Sequence, residues 1–254
     1  MKPLLSFIWV FMGISCAAAY DEKNMADLAV PTQIPLHSLE ISIVHRFYRV
    51  PSADFPDNFI TMANPKIDLR YVILPGLEAA AGYQFAPKEY TFHAAYSYFF
   101  PKLFLRTQAL VQFFGTQVFA FNDSGDYTPS WKNNAVYQFN VQSDPLIGRI
   151  LPTADFVYDG LSSKFGLGAG IDIVVAENMD IVGEYFPVLG SRDSTSFGGP
   201  AVNCYSVGFK ITTPGHHFMV TVSNSTDLGV RRLMRGTVNN NIYFGFNIQR
   251  LISF

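Results

Sequence analysis

The sequence predicts an all-β chain, an antiparallel up-and-down transmembrane β-barrel of about 12 strands with a polar interior and a lipid-facing apolar exterior. Three observations predict it. Apolar and polar residues alternate with period 2 in segment after segment from residue 39 to the end. An export-type N-terminus precedes a chain rich in apolar residues but without any run of about 18 of them, so strands rather than helices are expected to span. The last residue, Phe254, is in phase with the apolar parity of the final segment.

Composition agrees. Apolar residues make up 49% and charged residues 15%, whereas a soluble domain carries about 25% charged residues. Aromatic residues reach 15%, with 24 Phe and 13 Tyr, and these side chains favour pleated, half-buried surfaces. A net charge of -2 gives no strong attraction to nucleic acid or anionic lipid, and no nucleic-acid partner is expected.

Residues 1–19 read as a signal peptide. Lys2 supplies the positive start, residues 4–12 the apolar stretch, and Ala17, Ala18 and Ala19 the small residues of a cleavage site, with cleavage expected after Ala19. A retained N-terminal anchor is the alternative. A lipoprotein site at Cys16 is a second, although Gly13, Ile14 and Ser15 lack the expected Leu. Cleavage leaves Cys204 as the lone cysteine, without an intramolecular disulfide partner. Residues 20–38, with Asp21, Glu22, Lys23, Pro31 and Pro35, read as a leader without regular structure, and 39–254 as the barrel domain; a lumen of about 12 strands lies between filled and open barrels, so whether side chains and residues 20–38 fill it stays open.

The strands follow in order. Leu39, Ile41, Ile43 and Phe47 oppose Glu40, Ser42 and Arg46; Ile67, Leu69, Tyr71 and Ile73 oppose Asp68 and Arg70. Leu77, Ala79, Ala81, Tyr83 and Phe85 oppose Glu78, Gly82 and Gln84; Tyr90, Phe92, Tyr96 and Tyr98 oppose Thr91, His93 and Ser97. Leu103, Leu105, Ala109, Val111 and Phe113 oppose Arg106, Gln108 and Gln112; Tyr137, Phe139 and Val141 oppose Gln138, Asn140 and Gln142. A less regular strand over 146–158 carries Arg149, Thr153 and Asp155 on one parity. Phe165, Leu167, Ile171 and Ile173 oppose Gly166, Gly168, Gly170 and Asp172; Met179, Ile181 and Tyr185 oppose Asp180 and Glu184. Tyr205, Val207, Phe209 and Ile211 oppose Ser206, Gly208 and Lys210; Phe218, Val220 and Val222 oppose Met219 and Thr221. No helix is expected. Short turns at 75–76, 101–102, 144–145, 177–178 and 214–215 alternate with longer connections near 51–63, 123–133, 159–163, 189–201 and 224–239, and only 86–88 breaks the alternation. That asymmetry suits periplasmic turns on one rim and external loops on the other.

Alternation alone does not say which face is wet, since soluble barrels point their apolar face inward. Three features favour the inverted arrangement. The polar parity holds Gly, Gln, Asn and charges of both signs. Tyr90, Tyr98, Phe100, Tyr137, Tyr185 and Tyr205 lie on the apolar parity near strand ends, as interfacial girdles do. Phe244, Phe246, Ile248, Ile252 and Phe254 form an in-phase terminal strand resembling an outer-membrane assembly signal. On the inward parity fall Glu40, Arg46, Asp68, Arg70, Glu78, Arg106, Arg149, Asp155, Lys164, Asp172, Glu184 and Lys210. Buried charges need partners, so an ion-paired lumen is expected, for instance with Arg70 and Arg106 meeting Glu78 and Glu184.

Candidate chemistry is sparse. His93 and Ser97 share a strand face, but four residues is about 13 Å along a strand, too far for a base and a nucleophile to bond. His216 and His217 point to opposite faces, which disfavours a shared metal ion. Cys204 reads as a packing residue. Gly166, Gly168 and Gly170 lie in a strand with no helix after them, so they read as close packing or strand bending at the inner wall rather than a phosphate loop. Arg231, Arg232 and Arg235 read as solvated loop charges, with an anionic ligand or lipopolysaccharide phosphate as the alternative.

Several segments resemble a family of uncharacterised bacterial outer-membrane β-barrel proteins, a domain of unknown function. They are residues 42–47 (SIVHRF), 152–155 (PTAD), 165–170 (FGLGAG), 180–185, 214–218 (PGHHF) and 244–250 (FGFNIQR). The resemblance runs over roughly 31–254 and most strongly from 150 onward; it implies an outer-membrane barrel and brings no substrate or catalytic residue. The expectation is therefore an exported protein of the outer membrane. It would be a structural or interaction barrel with a narrow or occluded lumen; a small-solute channel is the alternative and a barrel-embedded hydrolase a remote one. No enzyme activity, cofactor or metal is expected. Expected partners are outer-membrane lipid, the barrel assembly machinery during insertion, and an unidentified envelope protein.

Overall fold

Side chains along a strand alternate between the two faces of a sheet, so the sequence above dictates a sheet with one polar and one apolar side. Bending that sheet until its edges meet satisfies every edge hydrogen bond. The computed structural model, which describes residues 25–31, 34–48, 62–121, 127–145, 149–189 and 201–254, has this closed form.

The strands are β1 (Ser38–Tyr48), β2 (Met62–Leu74), β3 (Leu77–Gln84), β4 (Glu89–Phe100), β5 (Leu105–Phe121), β6 (Tyr127–Ser143), β7 (Ile150–Asp159), β8 (Lys164–Ala176), β9 (Met179–Phe186), β10 (Cys204–Thr213), β11 (His216–Ser223) and β12 (Tyr243–Ser253). Each pairs antiparallel with its sequence neighbours, and β12 returns to β1, with Ile43 opposite Ile248. The 12-strand closure is the expected fold class. Residues 1–19 lie outside the described residues.

Which side is wet is decided by burial. On β4, Glu89, Thr91, His93, Ala95 and Ser97 are buried, while Phe92 is 55% and Tyr96 52% exposed. Arg46 is fully enclosed. The polar parity faces in and the apolar parity faces out, the reverse of a barrel built for water. Aromatic pairs sit on the outside near both rims: Tyr90 with Trp131 and Tyr158 with Phe165 at one, Tyr98 with Phe100 and His216 with Phe218 at the other.

The turns at 75–76 and 214–215 use a left-handed second residue, Gly76 (φ 80°) and Gly215 (φ 78°), which only glycine adopts without strain. They share a rim with the connections at 101–104 and 177–178 and with the start of β1 and the end of β12. We call this the turn rim and the opposite one the loop rim.

Three expectations need correction. The 123–133 segment is not a long loop, because β6 begins at Tyr127 and its residues ladder with β5, Asn133 opposite Gly115 and Asn134 opposite Phe114. The Asn pair reads locally as a turn, but cross-strand pairing overrides that preference. The strand expected over 146–158 begins only at Ile150. A helix does exist, α1 (Val230–Leu233), a single turn in the β11–β12 connection. It has no side-chain cap, so packing holds it rather than propensity.

Candidate functional site: the filled lumen

A glycine in a strand leaves a gap on the wall, and β8 places Gly166, Gly168 and Gly170 one above another on its inner side. Residues 25–31 fill that gap. A Cβ on Gly168 would stand 2.8 Å from Phe186 Cε1 and 3.0 Å from Leu28 Cδ1; one on Gly170 would stand 2.7 Å from Met25 Sδ. At Gly166 it would collide with Met234, from the connection that carries α1. Met25, Ala26, Leu28 and Val30 join Phe114, Val136, Val157, Val182, Phe186, Cys204, Val230, Leu233 and Met234 in one buried apolar cluster inside the barrel.

The segment is also held by its main chain. The N–H groups of Ala26, Asp27 and Leu28 all donate to Glu184 Oε1, at 2.7, 2.9 and 2.8 Å. Ser206 Oγ donates to the other Glu184 oxygen at 2.7 Å, so this buried carboxylate is satisfied without a cation. Ala29 N–H donates to Asp155 Oδ2 at 3.2 Å. The Ala26 carbonyl accepts from Asn247 Nδ2 at 2.8 Å. Asp27 pairs with Arg46 at 2.8 Å, and its other oxygen accepts from Gly229 N–H at 3.3 Å, just before α1.

At the loop rim the β11–β12 connection folds inward. Arg231 is buried, lies 4.0 Å over the Phe114 ring and is paired with Glu89; Arg232 reaches the same carboxylate at 2.7 Å. Arg235 pairs with Asp159 at 2.6 Å. The reading of these three arginines as solvated loop charges is therefore corrected, since each has a carboxylate partner on the wall.

Toward the turn rim, side chains fill the bore. Arg70 bridges Glu40 (2.9 Å) and Glu78 (3.2 Å), and His93 stands 3.7 Å from Glu78. Gln108 donates to Ser97 and accepts from Asn140. Lys210 lies between Asp172 (2.6 Å) and Asp180 (2.9 Å). Higher on β2, toward the loop rim, Lys66 pairs with Asp68 at 2.8 Å.

Of the 12 charges assigned to the inward parity, Glu40, Arg46, Asp68, Arg70, Glu78, Asp155, Asp172, Glu184 and Lys210 are buried. Arg106 is one-third exposed near the turn rim and pairs with Asp144 at 3.4 Å. Arg149 and Lys164 are corrected. Arg149 is exposed and precedes β7, and Lys164 is exposed as the first residue of β8. Glu184 meets main-chain amides rather than an arginine. Of the terminal set, Phe244 and Phe254 are exposed on the outer face and Phe246, Ile248 and Ile252 half-buried there. His93 and Ser97 serve separate partners. His216 lies beside Arg250, and His217, on the opposite face, is buried next to Thr212. Among the described residues no group of three metal-ligating side chains converges.

The sequence leaves open whether residues 20–38 fill the lumen; the grip of Glu184 and Asn247 on residues 26–28, and the roles of Glu89 and Asp159, escaped the sequence reading. The glycine stripe was the available signal, because a recess in an inner wall asks for an occupant.

Residues 154–252 match the family model described as "Membrane bound beta barrel domain (DUF5777)", within the stretch where the sequence resemblance is strongest. Comparison with curated proteins finds no match. Among solved structures the chain is similar to the KdgM porin, with 11% identity and a TM-score of 0.53 over 85% of this chain and 99% of that one. It is also similar to the NanC porin (8% identity, TM-score 0.49, 84% and 99% covered). An outer membrane channel from Pseudomonas putida F1 gives 11% identity and a TM-score of 0.48, with 87% and 97% covered. The fold is that of bacterial outer-membrane β-barrels.

Proposed function

We propose that this chain is a self-plugged outer-membrane barrel that serves as a structural or interaction element and rests closed. The observation that carries the reading is the occupancy of the lumen by residues 25–31, gripped by Glu184, beneath an inward-folded connection latched to Glu89 and Asp159. Most charges inside, such as Arg70 with Glu40 and Lys210 with Asp172, are paired with the opposite sign rather than segregated, which leaves little field to select an ion. Export by a signal peptide cleaved after Ala19 and insertion by the assembly machinery through the terminal strand belong to the same reading, as does the absence of catalysis.

A second reading, a small-solute channel, draws on the likeness to the KdgM porin. Planar-bilayer recording separates the two. The closed barrel gives little or no current as wild type and a stepwise current once residues 25–31 are deleted. Porin-sized wild-type currents would overturn the closed barrel and favour the channel. Replacing Phe254 with Asp should lower the yield of heat-modifiable folded barrel more than trimming 224–229 does; an unchanged yield would remove the assembly role from that residue.

A further inference from the structure

Three consecutive main-chain N–H groups converging on one oxygen form an anion nest. Here the nest belongs to residues 26–28 and the anion to the wall, Glu184. Recognition of this kind reads backbone, and the flanking contacts add the sequence preference. Arg46 asks for an acid at the position of Asp27, and the Gly168 recess takes an aliphatic side chain at that of Leu28. Asn247 fixes the carbonyl of the small residue before the acid. Asp155, fully buried, keeps its Oδ1 without a hydrogen-bond partner beside the one that receives Ala29 N–H.

We infer that the lumen is a peptide-binding site, occupied in cis by residues 25–31, that accepts in trans a peptide with a small residue, an aspartate and an aliphatic residue in succession. The inference rests on the proposal that these residues are a plug. Tethering gives the cis segment an effective concentration in the millimolar range, so a free peptide enters only where the cis segment is absent or weakened. A partner carrying the motif would exchange with the plug instead of meeting an empty pore.

The test uses the full barrel in phospholipid vesicles and a fluorescent heptapeptide of residues 25–31 (MADLAVP), with a scrambled heptapeptide as control. The variant lacking 25–31 should bind the peptide saturably, at least about tenfold tighter than wild type does. In that background Glu184→Gln should weaken binding about tenfold, as should an Asp27→Asn change in the peptide. Gly170→Ala, whose Cβ meets only the flexible end of Met25 closely, should weaken it less. If the deletion fails to fold, full-length Asp27→Asn takes its place, with the peptide at millimolar concentration displacing the weakened segment. A folded, heat-modifiable barrel that binds the peptide no better than the scrambled control overturns the inference. A deletion that opens the pore yet ignores the peptide does so too, while leaving the plug intact as a reading; a wild type with large currents removes the plug itself.

Discussion

The two halves of the lumen solve one problem in different ways. Near the turn rim the inward parity carries long charged and amide side chains, which pair between neighbouring strands in the Glu40–Arg70–Glu78 and Asp172–Lys210–Asp180 groups. Near the loop rim β8 offers Gly168 and Gly166 on the same parity, and the volume is taken by a stretch of backbone with Met25, Leu28 and Met234. A barrel of this size lies between those filled by side chains and those that leave a channel. The lesson is that closure is decided locally, by whether each wall position supplies a side chain or a recess.

Mutations sharpen that contrast. Breaking the side-chain half should cost most. Arg70→Met leaves Glu40 and Glu78 buried without their cation, a loss of about 3–5 kcal/mol on the scale of broken buried pairs, read by urea unfolding of the vesicle-inserted barrel. A loss under about 1 kcal/mol would mean the belt is not held by charge. In the backbone half, Glu184→Gln removes the charge from three hydrogen bonds and should loosen residues 25–31 by about 1.4 kcal/mol, the tenfold expected of the free peptide. It should speed hydrogen exchange at the amides of residues 26–28, while Glu78→Gln leaves those amides unchanged. Equal effects from the two substitutions would show that the halves are not independent. The smallest change is expected at the loop rim. Arg235 is 40% exposed, so Arg235→Ala should cost about 0.5 kcal/mol or less after solvent screening.

Much of the wall was legible in the sequence because period 2 is a local signal. Phe92, Tyr96 and Phe244 face out, and Glu40, Arg70 and Asp172 face in, as their parity says. Parity fixes the face of a residue but not its height. Arg149 and Lys164 were misplaced for that reason, since each sits at the end of a strand where the neighbouring strands no longer enclose it. The seating of residues 25–31 was illegible in its contacts for a different reason. Its bonds to Glu184 join residues more than 150 positions apart and use main-chain N–H groups, which leave no mark on side-chain pattern. The arginines of the β11–β12 connection carried half a signal. Their partners Glu89 and Asp159 lie on the inward parity of strand ends that face the loop rim, but a non-periodic connection gives no direction to its own side chains.

Arg46 stands where three parts of the chain meet. It belongs to β1, it donates to Asn247 of β12 at 2.8 Å, and it pairs with Asp27 of the plug. β1 and β12 form the one seam in the barrel between strands distant in sequence. The zipper that turns the sheet into a cylinder and the seating of the plug therefore share an atom group, and by linkage each shifts the other's equilibrium. A barrel caught before its ends join would hold its N-terminal segment loosely, and a barrel with that segment in place would be harder to unzip. Closure of the wall and seating of its N-terminal segment are thus coupled through a single guanidinium.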